Sequence, residues 1–267
     1  MLGVALGAGV TLLAGPARAL GVAPAPVWPG GRRGAVSLTY DDGLNSQLDH
    51  ALPELNRRGL KATFFLTREN MEGRLADWEA AGRAGHEIAD HTITHPCDLR
   101  HQSAGMFQRR ELGPMERWLD AHFGRHRPHT YAYPCGYLGL GEGSRQARYA
   151  RYQLLMRHDF TAARTTAGGP NLAQSALADR FHLHAFEPTY DGDVVAPAVR
   201  YLKATLDVGG WAILVFHEVL PKWHGEGDSS VRTHAKILDL VQGHDLWNAP
   251  MGHVLHHLEH AVGARRG

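Results

Sequence analysis

The sequence predicts an α/β fold: a parallel sheet curled into a closed or nearly closed barrel of about seven strand–helix units. Three observations carry that expectation. From residue 35 onward, short β-prone runs alternate with amphipathic helical stretches, the rhythm of right-handed βαβ crossovers. The run WAILVF at 211–216 is apolar throughout, as in a parallel strand covered by helices on both faces. A length of 267 residues is ordinary for a single α/β barrel.

Taken in order, residues 35–40 (AVSLTY) read as the first strand. A helix follows over 44–58, with Leu48, Leu52 and Leu55 at helical spacing, and stops at Gly59. KATFFL at 61–66 is the second strand, and 71–84 a helix with Leu75, Trp78 and Ala81 on one face. HEIAD at 86–90 is the third strand. The helical stretch 103–123 is expected to break or kink near Gly113-Pro114, where proline lacks the amide proton and crowds the preceding turn. A fourth strand at 130–133, a helix over 143–158 and a fifth strand at 160–164 come next. Residues 181–186 read as a further strand, followed by a helix over 194–208 and the apolar strand at 211–216. Helices over 231–242 and 252–262 close the chain, with a short strand near Leu246 and Trp247. With no internal repeat and no interior linker, residues 35–263 form one expected catalytic domain.

The composition is 43% hydrophobic and 21% charged, a globular mix that argues against disorder or coiled coil. Lys plus Arg (28) balances Asp plus Glu (27), so no basic excess suits a phosphate-tracking nucleic-acid binder. Residues 1–19 (MLGVALGAGVTLLAGPARA) read as a secretory signal peptide ending in an A-x-A-type site, although no basic residue precedes Arg18. The stretch is too short to span a bilayer, and no other apolar run reaches spanning length. The expected location is therefore secreted or periplasmic, with no membrane span. Residues 20–34 are rich in Pro and Gly and read as a linker.

The abundant histidine, 19 residues, directs attention to metal chemistry. In α/β folds the functional residues lie just past the carboxyl ends of strands, and three loaded clusters fall there. The first strand runs into Asp41-Asp42-Gly43. One acid would cap the next helix, but two side by side can divide labour, one binding a metal and the other handling a proton. The third strand runs into His91-Thr92-Ile93-Thr94-His95. Histidines four apart share one face of a helical turn and, with a strand-end aspartate, make a His-His-carboxylate set of the kind catalytic metals use. The strand at 211–216 runs into His217-Glu218, where His217 reads as a general acid or base. Other histidines are read blandly: His253 and His257 as a solvated helix face, His182 and His184 as core or rim polar groups.

These residues resemble the motifs of the polysaccharide deacetylases (carbohydrate esterase family 4, the NodB homology domain). Thr39-Tyr40-Asp41-Asp42-Gly43 is similar to T-F-D-D-G, and 91–95 matches H-[ST]-x-x-H in letters and spacing. Ala132-Tyr133-Pro134-Cys135-Gly136 resembles R-x-P-Y-G imperfectly, and Leu214-Val215-Phe216-His217 resembles L-x-x-H. The resemblance covers roughly residues 34–260. It implies a distorted (β/α) barrel and a divalent metal, zinc first, with cobalt or another first-row ion as substitutes. It implies Asp42, His91 and His95 as ligands, Asp41 as base, the Cys135 backbone amide in the oxyanion hole and His217 as general acid. The implied activity is hydrolytic removal of N-acetyl groups from an amino-sugar polymer or oligomer, by activated water and without a covalent enzyme intermediate. No G-x-S-x-G nucleophile elbow is present. O-deacetylation of acetylated xylan, or a carbohydrate-binding relative that keeps the metal without turnover, are the competing readings.

The departures are specific. The motif arginine that orients the base in the family is Ala132 here, and Arg164 at the end of the fifth strand is the expected replacement. The carboxylate tuning the general acid is not evident, with Glu218 the nearest guess. Cys97 and Cys135 flank motifs in neighbouring loops and could pair. The expectation leans toward two separate thiols packed as small apolar groups. Trp223, in the loop after His217, and Tyr133, inside the third motif, are the candidate sugar contacts against plain packing.

Overall fold

The structure, a computed structural model, describes residues 28–71, 73–124 and 129–263. The signal peptide expected over 1–19 and the linker up to residue 27 lie outside them. Nine strands are described: β1 (Gly34–Asp42), β2 (Ala62–Leu66), β3 (Glu87–Asp90), β4 (Thr130–Ala132), β5 (Ala162–Arg164), β6 (Trp211–Phe216), β7 (Val219–Leu220), β8 (Ser229–Ser230) and β9 (Leu246–Asn248). The principal sheet is parallel, in the order β5-β4-β3-β2-β1-β6, with β9 added to the first residues of β1.

The stretch expected as a strand over 181–186 closes the ring without being a regular strand. Leu183 bridges to Arg164 of β5, and Phe186 bridges to Leu214 of β6. The Leu183 amide donates to Ala163 O and the Phe186 amide to Ile213 O, at 3.0 and 2.9 Å. Each end of the segment serves a different neighbour, so no ladder longer than one bridge can form. Counting this segment, seven members surround the axis in a distorted (β/α) barrel.

The helices are α1 (Leu52–Arg57), α2 (Leu75–Arg83), α3 (Ala104–Phe107), α4 (Gly113–Phe123), α5 (Arg145–Asp159), α6 (Ala173–Ala178), α7 (Ala196–Val208), α8 (Val231–Gly243) and α9 (Met251–Gly263). Ser103, Ser144 and Ser230 cap α3, α5 and α8 by accepting an amide hydrogen bond three residues on. The break expected at Gly113-Pro114 takes a definite form. A π-helical turn over Gln108–Leu112 joins α3 to α4, and the wider turn gives the proline ring room at the start of α4. A second π turn, Gln47–Ala51, precedes α1.

Alternation along β1 sorts the core. Val36, Leu38 and Tyr40 face the helices and join Phe64, Leu66, Leu214 and Phe216 in the largest apolar cluster. Ala35 lies on the opposite face, in a cluster with Phe65, Ala89, Ala132, Ile213 and Val215 that also takes Met251, Val254, Leu255 and Leu258 of α9. Asp41 shares Ala35's alternation and so points inward at the carboxyl end of the barrel. Among the described residues, no helix is long and apolar enough to cross a membrane.

Candidate active site

Asp41-Asp42 form the carboxyl end of β1, while His91–His95 and His217 directly follow β3 and β6. The backbone there is unusual. Among the described residues, the non-glycine residues with positive φ are Asp42 (77°), Thr92 (72°), His95 (53°) and Cys135 (54°), and all four belong to this end of the barrel. Such angles cost L-residues roughly 1–3 kcal/mol each and persist only where surrounding contacts hold them. The contacts are present. Thr92 Oγ1 accepts the His95 amide at 3.0 Å, while Glu111 accepts the amides of Ile93 and Thr94 at 3.1 and 3.0 Å. Gly43 turns the chain away after Asp42 with φ of 70°. Gly136, also at positive φ, lies so close to Thr166 that a Cβ there would collide with its hydroxyl.

Asp42, His91 and His95 converge. Their ligand atoms all lie within 4.8 Å of one another. Both His91 Nε2 and His95 Nε2 stand 3.5 Å from Asp42 Oδ1. His91 Nδ1 is 2.8 Å from Ala132 O, which only accepts, so Nδ1 carries the proton and Nε2 presents its lone pair. That Nε2 is buried and has no hydrogen-bond partner. Burial lowers the His91 pKa to about 4 against the opposing pull of Asp41 and Asp42, so the ring is neutral near pH 7. Its approach to Asp42 is therefore no ion pair: lone pairs of two residues face one point. A neutral imidazole fixed by its other nitrogen, a carboxylate and a second imidazole make a donor set that fits a divalent metal.

Asp41 and His217 flank that point. Asp41 is buried, which by itself would raise its pKa. The charges of Arg164 and His217 and the Arg164 hydrogen bond hold the carboxyl below its ordinary value instead. Arg164 Nη2 donates to Asp41 Oδ1 from a fully buried position, with its guanidinium 4.8 Å from the centre of the Phe65 ring. Burial works against a charged His217, yet the hydrogen bond to Glu187 and the Asp41, Glu187 and Asp42 charges push its pKa up to about 9. His217 Nδ1 donates to Glu187 Oε1 at 2.8 Å.

Glu187, rather than Glu218, is thus the carboxylate on His217. Glu218 receives the Ser46 hydroxyl instead. Gln47 is a second residue missed in the sequence: its carboxamide donates to Asp41 O and, at 3.2 Å, to His217 O, tying the ends of β1 and β6 together. Neither residue lies in a recognisable motif. The only sequence signal for Glu187 is that it directly follows a β-prone run.

Two further expectations are corrected. Cys97 and Cys135 form a disulfide, with Cα atoms 5.5 Å apart, because the loops after β3 and β4 meet at the rim. Tyr133 is fully buried, and its hydroxyl donates to Phe181 O at 2.9 Å, so it offers no surface to a sugar. Trp223 stands 43% exposed in the loop between β7 and β8, outside the lining of the cavity described next.

A cavity of about 700 Å³ opens over the site, lined by Asp41, His91, His95, Cys135, Glu187 and His217, with exposed Tyr190 on its wall. A cavity of about 480 Å³ at the opposite end holds Glu87 and His129. Glu87 there accepts from Thr63, Thr130 and the Gly252 amide, and His129 pairs with Glu116, so these groups tie elements together.

Comparison with known proteins agrees with this geometry. Residues 30–153 match the family described as polysaccharide deacetylase. The chain is 39% identical over 62 residues to a peptidoglycan-N-acetylglucosamine deacetylase of Bacillus cereus, which is 23% of this chain and 22% of that protein. The curated relatives are matched over only 6–22% of their length. A Mycobacterium smegmatis structure assigned to the polysaccharide deacetylases superposes with TM-score 0.62 at 20% identity, covering 91% of this chain and 96% of that one. A family 4 acetyl xylan esterase from Clostridium thermocellum, in complex with a cobalt ion, superposes with TM-score 0.57 at 17% identity over 86% and 92%. These structural likenesses establish the fold.

Proposed function

We propose, from the match of residues 30–153 to the polysaccharide deacetylase family, that the chain is a metal-dependent hydrolase that removes N-acetyl groups from an amino-sugar polysaccharide or oligosaccharide. Asp42, His91 and His95 would hold the ion, zinc or another first-row divalent metal. Bound there, it would supply Lewis acidity toward the acetyl carbonyl and make water acidic enough to lose a proton near neutral pH.

The chain's own residues divide the remaining work. Asp41, kept ionised by Arg164, accepts the proton of the attacking water. The Cys135 amide, at the cavity wall, donates to the oxyanion as the carbonyl becomes tetrahedral. His217, charged and oriented by Glu187, protonates the leaving nitrogen, and acetate and a free amine result. Tyr190 offers an exposed aromatic face to the sugar, and Trp223 a more distant one. The chain would act outside the cytoplasm, where such polymers lie.

The observation that carries this reading is the placement, beside one metal-type donor set, of a carboxylate bound by Arg164 and an imidazole bound by Glu187. An amide nitrogen leaves only when protonated, so an acid that keeps its proton past neutral pH suits N-deacetylation more than ester cleavage. Acetate release from N-acetylglucosamine oligomers and from acetylated xylan, each with and without chelator, tests it. Chelator-sensitive release from the oligomers is expected. Release from xylan alone would move the assignment to O-deacetylation, and release from neither would leave a binding protein.

A further inference from the structure

The disulfide lies against the same histidine that belongs to the ligand set. We propose that reduction of Cys97–Cys135 opens a second, thiolate-containing metal site formed by Cys97, Cys135 and the Nδ1 atom of His95, suited to a soft or borderline ion such as zinc, cadmium or cobalt. The two sulfurs and the His95 ring nitrogen lie within 4.8 Å of one another. Cys97 Sγ is 3.8 Å from His95 Nδ1, while His95 Nε2 faces Asp42 at 3.5 Å. One imidazole thus presents its two nitrogens to two different donor groups. Both cysteines are exposed, so reductant and metal have access.

The sulfur-bearing loops are also held by hydrogen bonds that do not involve the S–S bond. Glu111 accepts the Ile93 and Thr94 amides, and the Gly141 amide donates to Leu99 O at 2.8 Å on the far side of Cys97. Around Cys135, the Gly136 and Tyr137 amides donate to Tyr133 O and Pro134 O at 2.9 and 3.0 Å. The thiols therefore remain neighbours after the bond breaks. In reduction by a phosphine, phosphorus attacks one sulfur and the S–S bond breaks. Water supplies the oxygen of the phosphine oxide and the two protons, and two thiols remain. A dithiol achieves the same by becoming a disulfide itself. The entering ion then displaces both thiol protons, as thiolate is the ligand form.

A neutral imidazole has a single lone pair, so His95 cannot serve both donor groups while it keeps its ring proton. Filling the thiolate site therefore withdraws His95 from Asp42 and His91. Only this competition rests on the ligand set proposed above; the thiolate site stands on its own three residues.

Cobalt titration of the oxidised and the phosphine-reduced protein, with free thiols counted, tests the inference. A near-ultraviolet sulfur-to-cobalt charge-transfer band is expected only after reduction. It should persist in His91→Ala, reach full height there at about one equivalent, and be absent from Cys97→Ser and Cys135→Ser. Two titrated thiols without that band would overturn the inference. So would a band surviving in Cys135→Ser, or loss of far-ultraviolet dichroism on reduction. Failure of the oxidised protein to take up cobalt would count against the Asp42–His91–His95 site alone and leave the band unaffected.

Discussion

Arg164 donates a hydrogen bond to Asp41 across 123 residues of sequence, between two side chains almost wholly removed from water. The carboxylate would otherwise meet the full cost of burial, and its ionised form depends on that guanidinium. Arg164→Met should therefore raise the Asp41 pKa, move the acid limb of the rate profile to higher pH and lower kcat by about 10²-fold. An unchanged acid limb would separate Arg164 from the base.

Ala132 and Arg164 are direct register partners on β4 and β5. An arginine at either position starts from adjacent backbone. The double variant Ala132→Arg/Arg164→Ala is expected to recover at least about tenfold of the kcat lost in Arg164→Ala, a partial return of the base's electrostatic support. Single-turnover acetate release compares the two.

Glu187 is the partner that keeps His217 charged. Glu187→Gln removes an acceptor charge, so the His217 pKa falls. The alkaline limb of kcat/KM should move to lower pH by roughly one unit or more. Glu218→Gln, whose partner is Ser46, should leave that limb in place.

Stability of the metal-free protein should fall in acid. His86 and His91 are lowered to about 4, and His234 to about 3, chiefly by burial. From their ordinary 6.5 downward the unfolded chain takes up protons that the folded chain refuses, so stability present above pH 6.5 is lost as pH falls toward 4. His217 acts in the opposite sense: its contribution is complete below 6.5 and is lost as pH rises through about 9. Calorimetric Tm from pH 4 to 9 in chelator should show both declines, with the acid one shallower in His234→Gln.

Tyr190 and Tyr133 should separate binding from packing. Tyr190→Ala removes an exposed ring from the cavity wall and should raise KM severalfold with kcat little changed. Tyr133→Phe loses the bond to Phe181 O and should cost about 1 kcal/mol of stability without altering KM.

The chemistry carried by local spacing was legible in the sequence: Asp41-Asp42 and His91/His95 follow strands, and His217 ends an apolar one. Arg164 was legible as a position, since it too ends a strand. Glu187, Gln47 and the disulfide were not, because each depends on which loops meet across the rim, and neighbours in space there are 30 to 170 residues apart in sequence. The segment 181–186 misled in degree, since its pairing is split between β5 and β6. Tyr133 misled because motif membership says nothing about which way a side chain faces.

The central claim is that Asp42, His91 and His95 hold one divalent ion between Asp41 and His217. Equilibrium metal binding, measured on oxidised wild type and on single variants, tests it most directly. One ion per chain is expected, with affinity falling at least about tenfold in His91→Ala, and with Asp41→Asn still binding while acetate release falls by about 10²–10⁴-fold. Undiminished binding in His91→Ala, or full acetate release from Asp41→Asn, would contradict the account.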